Sequence, residues 1–175
     1  MPLRALAFTV ALAGCSTAIV APLLPAYRDE SVPIASKADF DPAHYAGRWY
    51  EVARFPVPFQ RGCAGAIAEY GPPRDGRLSI RNLCLDAEDR LIRQIEGTAT
   101  VTGPGRLDVR LDGVPFVAPY WVLWVDEGYR TAVVGQPDGR AGWILNRDPD
   151  IPPDRLRAAL SVLDFNGYDT SKLLP

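Results

Sequence analysis

With 175 residues the chain is long enough for one well-filled core and too short for two ordinary domains. There are 19 Lys and Arg against 21 Asp and Glu, a net charge of −2; loss of Arg4 with an N-terminal segment leaves 18 against 21, or −3. A phosphate backbone would meet net repulsion, and the single histidine, His44, leaves no donor set for a catalytic metal or haem, so neither a nucleic-acid role nor a cofactor is expected.

The first feature along the chain is an uncharged apolar run, Ala5 to Ala13, behind Arg4. It falls well short of the roughly 20 residues a membrane-spanning helix needs and reads as the apolar region of a signal peptide. It runs into Leu12-Ala13-Gly14-Cys15-Ser16, which resembles the lipobox of bacterial lipoproteins. That resemblance implies a signal peptide over residues 1–14 and lipid attachment at Cys15. Ser16, in place of an Asp, implies sorting to the outer membrane. Residues 15–38, with Pro22, Pro25 and Pro33 and no sustained period, read as a semi-extended tether outside the core.

Asp41-Pro42-Ala43-His44-Tyr45-Ala46 predicts one short helical turn, with Asp41 as cap and Pro42 pre-setting the first dihedral. Gly47 then lets the backbone turn sharply into a strand, Gly47 to Phe55, that carries Trp49. Strand-like runs follow at Gly62 to Tyr70, Leu78 to Leu85, Leu91 to Val101, Leu107 to Leu111, Tyr120 to Val125, Thr131 to Gln136 and Ala141 to Arg147. Turn residues separate them, including Pro72-Pro73-Arg74-Asp75-Gly76 and Gly103-Pro104-Gly105; the latter lacks the flanking pattern of a phosphate loop. Eight short strands suit an all-β, eight-stranded antiparallel up-and-down barrel, although a sandwich fits the same pattern. The period then changes: Leu156, Ala159, Leu160 and Leu163 predict a helix within Asp150 to Asn166, packed outside the barrel by one narrow apolar face.

Gly47-x-Trp49 at the first strand, Asp126-Glu127-Gly128-Tyr129 in a turn, and Arg147 at the end of the last strand together resemble the lipocalin family. Trp49-Tyr50-Glu51-Val52-Ala53-Arg54-Phe55 and the Gly167-Tyr168-Asp169-Thr170-Ser171-Lys172 tail resemble its bacterial outer-membrane lipoprotein branch. The resemblance covers residues 39–175 and implies that Gly47, Trp49, Asp126, Tyr129 and Arg147 build the closed end, with the Arg147 guanidinium lying over Trp49.

Cys63 and Cys84 are the remaining cysteines, and in an exported domain a pair this close across one hairpin is expected to form a disulfide. Direct opposition of the two would set Tyr70 against Arg77, whereas the apolar faces would set Tyr70 against Leu78, so a β-bulge near Gly65 or at the strand start is expected. A reactive Cys63 is the alternative, but no neighbour is placed to activate it.

Parity from Trp49 and Arg147 sends Ala53, Phe55, Ala141, Trp143 and Leu145 to the inner wall, and alternation adds Tyr70 and Ile80. The sixth strand is apolar on both faces; there the family pattern implies Tyr120, Val122 and Trp124 inward, and Val134 completes the expected ligand contacts. The implied function is a binding protein, not an enzyme. It would be anchored to the periplasmic face of the outer membrane and hold or transport a fatty acid, lysophospholipid or phospholipid for envelope maintenance. A lipid-modifying enzyme on the same barrel and an interaction protein with a filled barrel are the rivals. The sequence leaves open whether the protein is a monomer or a homodimer.

Overall fold

The computed structural model describes residues 25–175, so the signal peptide, the lipobox and Cys15 lie outside the described residues. Asp41 caps the helical turn α1 (Pro42–Tyr45) by accepting a bond from the Ala43 amide, with Pro42 in its first turn. Gly47 follows at φ 102°, and a Cβ there would lie 3.1 Å from Arg147 Nη1, so both conformation and space require glycine.

Eight strands follow: β1 (Gly47–Arg54), β2 (Gly65–Tyr70), β3 (Arg77–Leu85), β4 (Leu91–Gly103), β5 (Arg106–Leu111), β6 (Ala118–Val125), β7 (Thr131–Gly135) and β8 (Gly142–Asn146). They pair in chain order, and β8 pairs antiparallel with β1, which closes the barrel and excludes the sandwich. Helix α2 (Pro153–Phe165) starts with Pro153 in its first turn and ends before Gly167 at φ 83°.

Two apolar clusters divide the molecule. One lines the barrel interior and includes Trp49, Tyr70, Leu78, Ile80, Leu107, Val122, Val134, Trp143 and Leu145. The other lies between the barrel wall and α2; there Phe55, Leu123, Val133 and Ile144 meet Leu156, Ala159, Leu160 and Leu163.

Ala53, Phe55 and Trp124 belong to this outer cluster, contrary to the inward placement expected of them. The cause is a pair of β-bulges. On β1 the pairing steps from Glu51↔Leu145 to Ala53↔Ile144, and on β6 from Val122↔Val134 to Trp124↔Val133. Each extra residue reverses the alternation of those after it, so Ala53 and Trp124 exchange the inner face for the outer one.

The β2–β3 register also differs from both expected alternatives. Tyr70 faces Ile80 and Ala66 faces Cys84, without an irregularity between these strands. Pro72 and Pro73 have no N–H to offer a ladder, so pairing begins farther from the turn, at Gly71 N to Ser79 O. Cys63 precedes β2 and needs no bulge to reach Cys84, with the Cα atoms 5.2 Å apart in the disulfide.

The expected tether is too long. Tyr27 stacks on Phe55, Ile34 joins the outer cluster, and Arg28 is buried with Nε donating to Asn166 O and Nη1 to Pro137 O. Proline content conceals this packing, since it marks extended chain whether or not that chain is docked.

Candidate functional site

The barrel interior changes character along its axis. At the closed end Trp49 is fully buried, and its Nε1 donates to Tyr45 O at 2.8 Å, so α1 plugs the barrel. Arg147 lies over the indole with its guanidinium carbon 3.8 Å from the ring centroid. Its Nη1 donates to Arg48 O, its Nη2 to the carbonyls of His44 and Ala46, and its Nε to Tyr129 O. Asp126 shapes the adjoining turn by accepting from the Arg130 and Thr131 amides, and Tyr129 there adopts φ 51°. The five residues expected at the closed end therefore meet at one place.

Above this plug stand three phenols. Tyr120 Oη lies 2.7 Å from Tyr45 Oη and accepts a bond from Tyr70 Oη at 2.8 Å. Burial raises the pKa of all three, which keeps them neutral. They give the apolar interior a small polar centre.

Nearer the mouth the inner wall carries a carboxyl group. Glu51 lies two residues after Trp49 and before the bulge, so alternation places it inside, near enough to Tyr70 for its charge to act on that phenol and linked to Trp143 through Gln60. A 3-10 turn, Pro58–Gln60, folds across the opening: Val57 enters the inner cluster, and Gln60 Nε2 donates to Glu51 Oε2 at 2.5 Å. Gln60 Oε1 accepts from Trp143 Nε1 at 3.1 Å. Burial pushes the Glu51 pKa up to about 7, against the opposing pull of the Gln60 bond and the Arg54 charge.

Of the ten expected ligand contacts, Tyr70, Ile80, Tyr120, Val122, Val134, Trp143 and Leu145 face the interior, and Ala53, Phe55 and Trp124 do not. Sequence reasoning missed Glu51, Gln60 and Val57. Parity from Trp49 would have found Glu51; the mouth turn carries no periodic signal. Partly accessible apolar side chains on β4 and β5 complete the open half, with Ile95, Val109 and Leu111 on the inner parity. Two surface clefts, about 670 Å³ beside Tyr27 and Tyr168 and about 470 Å³ beside His44 and Arg147, lie outside the barrel. No group of three or more His, Cys, Asp or Glu among the described residues is placed to hold a metal ion.

Residues 40–175 match the family model of the lipocalin-like domain. The chain is 36% identical over 138 residues to the outer membrane lipoprotein Blc of Escherichia coli (strain K12), covering 78% of each protein. It is 35% identical over 141 residues to Blc of Vibrio cholerae serotype O1, covering 78% of this chain and 82% of that one. With apolipoprotein D of Bos taurus it shares 33% identity over 144 residues, 77% of this chain and 75% of that one. Insecticyanin from the tobacco hornworm Manduca sexta shares the fold at a TM-score of 0.64 and 21% identity, covering 86% of this chain and 85% of that one.

Proposed function

The chain belongs to the lipocalin family, and from that premise we propose that it binds one acyl chain of a fatty acid, lysophospholipid or phospholipid in the open half of its barrel. The observation that supports this reading is the unequal filling of the interior. Trp49 and the rings of Tyr45 and Tyr70 occupy the closed half, while Ile95, Val109 and Leu111 leave a partly accessible apolar wall toward the mouth. Such a wall with a few polar groups suits a hydrophobic ligand with one polar end.

On the same reading residues 1–14 are a signal peptide and Cys15 carries acyl chains that hold the protein to the outer membrane, facing the periplasm. The lipobox-like sequence and the likeness to relatives named as outer membrane lipoproteins support it. Storage or transfer of lipid during envelope maintenance is the role proposed.

Native mass spectrometry of protein purified from a membrane extract tests the binding. A lipid adduct is expected, and Val109→Trp, which fills the open half, should remove it while thermal unfolding remains cooperative. A wild-type chain that carries no adduct and takes up neither oleic acid nor a lysophospholipid would instead be a filled barrel. Incorporation of labelled palmitate, lost in Cys15→Ser, tests the anchor separately.

A further inference from the structure

Strand direction assigns four connections to the open end of the barrel: β1–β2, β3–β4, β5–β6 and β7–β8. Three of them present large apolar side chains to solvent. Phe59 is 56% exposed on the first, Leu91 54% and Ile92 51% at the start of β4 directly after the second, and Phe116 64% with Val117 40% on the third. At the opposite end the turns carry Arg74, Asp75, Glu127 and Arg130 instead. Two further exposed apolar residues lie toward the open end. Leu174 is bridged to Arg54 at the upper end of β1, and Phe165 ends α2 beside Asn166, whose carbonyl Arg28 holds next to the β7–β8 turn.

The fourth connection receives the N-terminal segment. Tyr27 N donates to Gly139 O, and Gly139, at φ 67°, leaves no room for a Cβ beside Arg28. The described chain therefore begins at the same end as the apolar tips. Pro25 lies ten positions after Cys15, a reach of at most about 35 Å.

We infer that the open end is a bilayer-docking surface: the tips at Phe59, Leu91, Ile92, Phe116 and Val117 enter the lipid surface, and the barrel mouth faces the membrane to which Cys15 is tied. This rests on the anchored reading given above. Scattered exposed apolar residues are ordinary on a soluble protein, but their concentration on the loops of one end marks an interaction face. A lipid surface is the occupant that the short N-terminal connection brings to that face. The attraction is chiefly apolar: on the second connection Arg90 pairs with Asp86 at 2.8 Å and Glu88 at 3.0 Å, and the exposed Arg61 and Asp112 on the first and third connections are opposite in sign. A docked mouth would let an acyl chain pass between bilayer and barrel without crossing water.

The test is hydrogen–deuterium exchange on the full processed chain, reconstituted in vesicles of phosphatidylethanolamine with a minority of phosphatidylglycerol and compared with the same chain in detergent. Slower exchange of residues 58–61, 88–92 and 113–117, with residues 72–76 and 126–130 unchanged, is expected at both low and high salt. The triple variant Phe59→Ser, Ile92→Ser, Phe116→Ser should lose that protection while unfolding as cooperatively as the wild type. Mass measurement of the purified chain reads the anchor independently. If no acyl group is found, the unanchored chain is floated with the same vesicles, where the triple variant should partition at least about tenfold less, since burying one such side chain is worth about that factor. Equal exchange in vesicles and detergent, or equal flotation of both chains, overturns the inference. So does protection that appears without vesicles together with a doubled mass, which would assign the face to a second copy of the chain.

Discussion

At the closed end of the barrel Arg147 spends its guanidinium on five backbone carbonyls and an indole face, and Trp49 is wholly enclosed. At the open end the inner wall stays partly accessible, a carboxyl group stands among aromatic rings, and the loop tips are apolar. The contrast teaches where each end draws its free energy. Directional bonds to fixed carbonyls lock the plug into one arrangement, whereas the mouth retains side chains whose burial is incomplete. A binding protein benefits from that division, because the rigid end keeps the sheet closed while the other end admits and releases a ligand.

If the closed end carries the stability of the barrel, its largest loss should come from Trp49→Ala. Removing this enclosed indole should destabilise folding by about 3–5 kcal/mol, read by urea denaturation, since the α1 plug holds the resulting cavity open. A loss below about 1 kcal/mol would contradict the plug. At the open end the corresponding device is covalent. Replacing Cys63 and Cys84 by Ser, across a sequence separation of 21, should lower stability by about 3 kcal/mol through the loop entropy regained by the unfolded chain. Arg93 Nη2 also reaches the carbonyls of Phe59 and Arg61, so the mouth turn should loosen first and show faster amide exchange than β7 and β8.

A smaller effect separates charge from geometry at the plug. Arg147→Lys retains the cation but cannot both stack on Trp49 and reach the carbonyls of Arg48, His44 and Ala46, so a loss of about 1–2 kcal/mol is expected. In a double-mutant cycle with Trp49→Leu the two losses should couple. Strict additivity would mean that the stack contributes nothing and that the carbonyl bonds alone secure the plug.

The closed end is also the more legible in sequence, for a physical reason. Gly47, Trp49 and Arg147 are residues whose special conformation, size or geometry fits few other roles, so their spacing identifies their meeting place. Strands are legible because Gly and Pro turns punctuate alternating runs. The bulges on β1 and β6 are not, because Val52, Ala53, Leu123 and Trp124 are apolar and can be buried on either face. Their partner strands are apolar on both faces too, with Ile144 outside and Trp143 and Leu145 inside. No alternation remains to report the slip, and it carries Ala53, Phe55 and Trp124 to the wrong face together. Arg28 is hidden differently: two of its three carbonyl partners, Asn166 and Pro137, lie more than 100 residues away, which no local pattern encodes.

The finest test of the contrast compares carboxyl groups on the two sides of the wall. Glu69, outside, has its pKa lowered chiefly by bonds from Arg48 and Arg81, so it contributes stability at neutral pH that is lost as pH falls through its folded value. Glu51, inside, behaves in the opposite sense. Its folded pKa of about 7 exceeds the ordinary 4.5, so the fold favours the protonated form. The associated stability is complete below about pH 4.5 and declines until pH passes about 7. A tenfold difference in proton affinity between the folded and unfolded chain corresponds to about 1.4 kcal/mol, and partial access of water to Glu51 reduces the total, so about 1–2 kcal/mol should disappear across that window. Glu51→Gln remains neutral throughout and keeps an acceptor for Gln60, so its stability should hold steady where that of the wild type falls. Denaturation midpoints of the two proteins, measured from about pH 4.5 to about pH 8, give the answer directly. Parallel profiles would mean that the ionised carboxylate finds water without resistance, and the mouth would then be open and wet rather than a partly sealed apolar chamber.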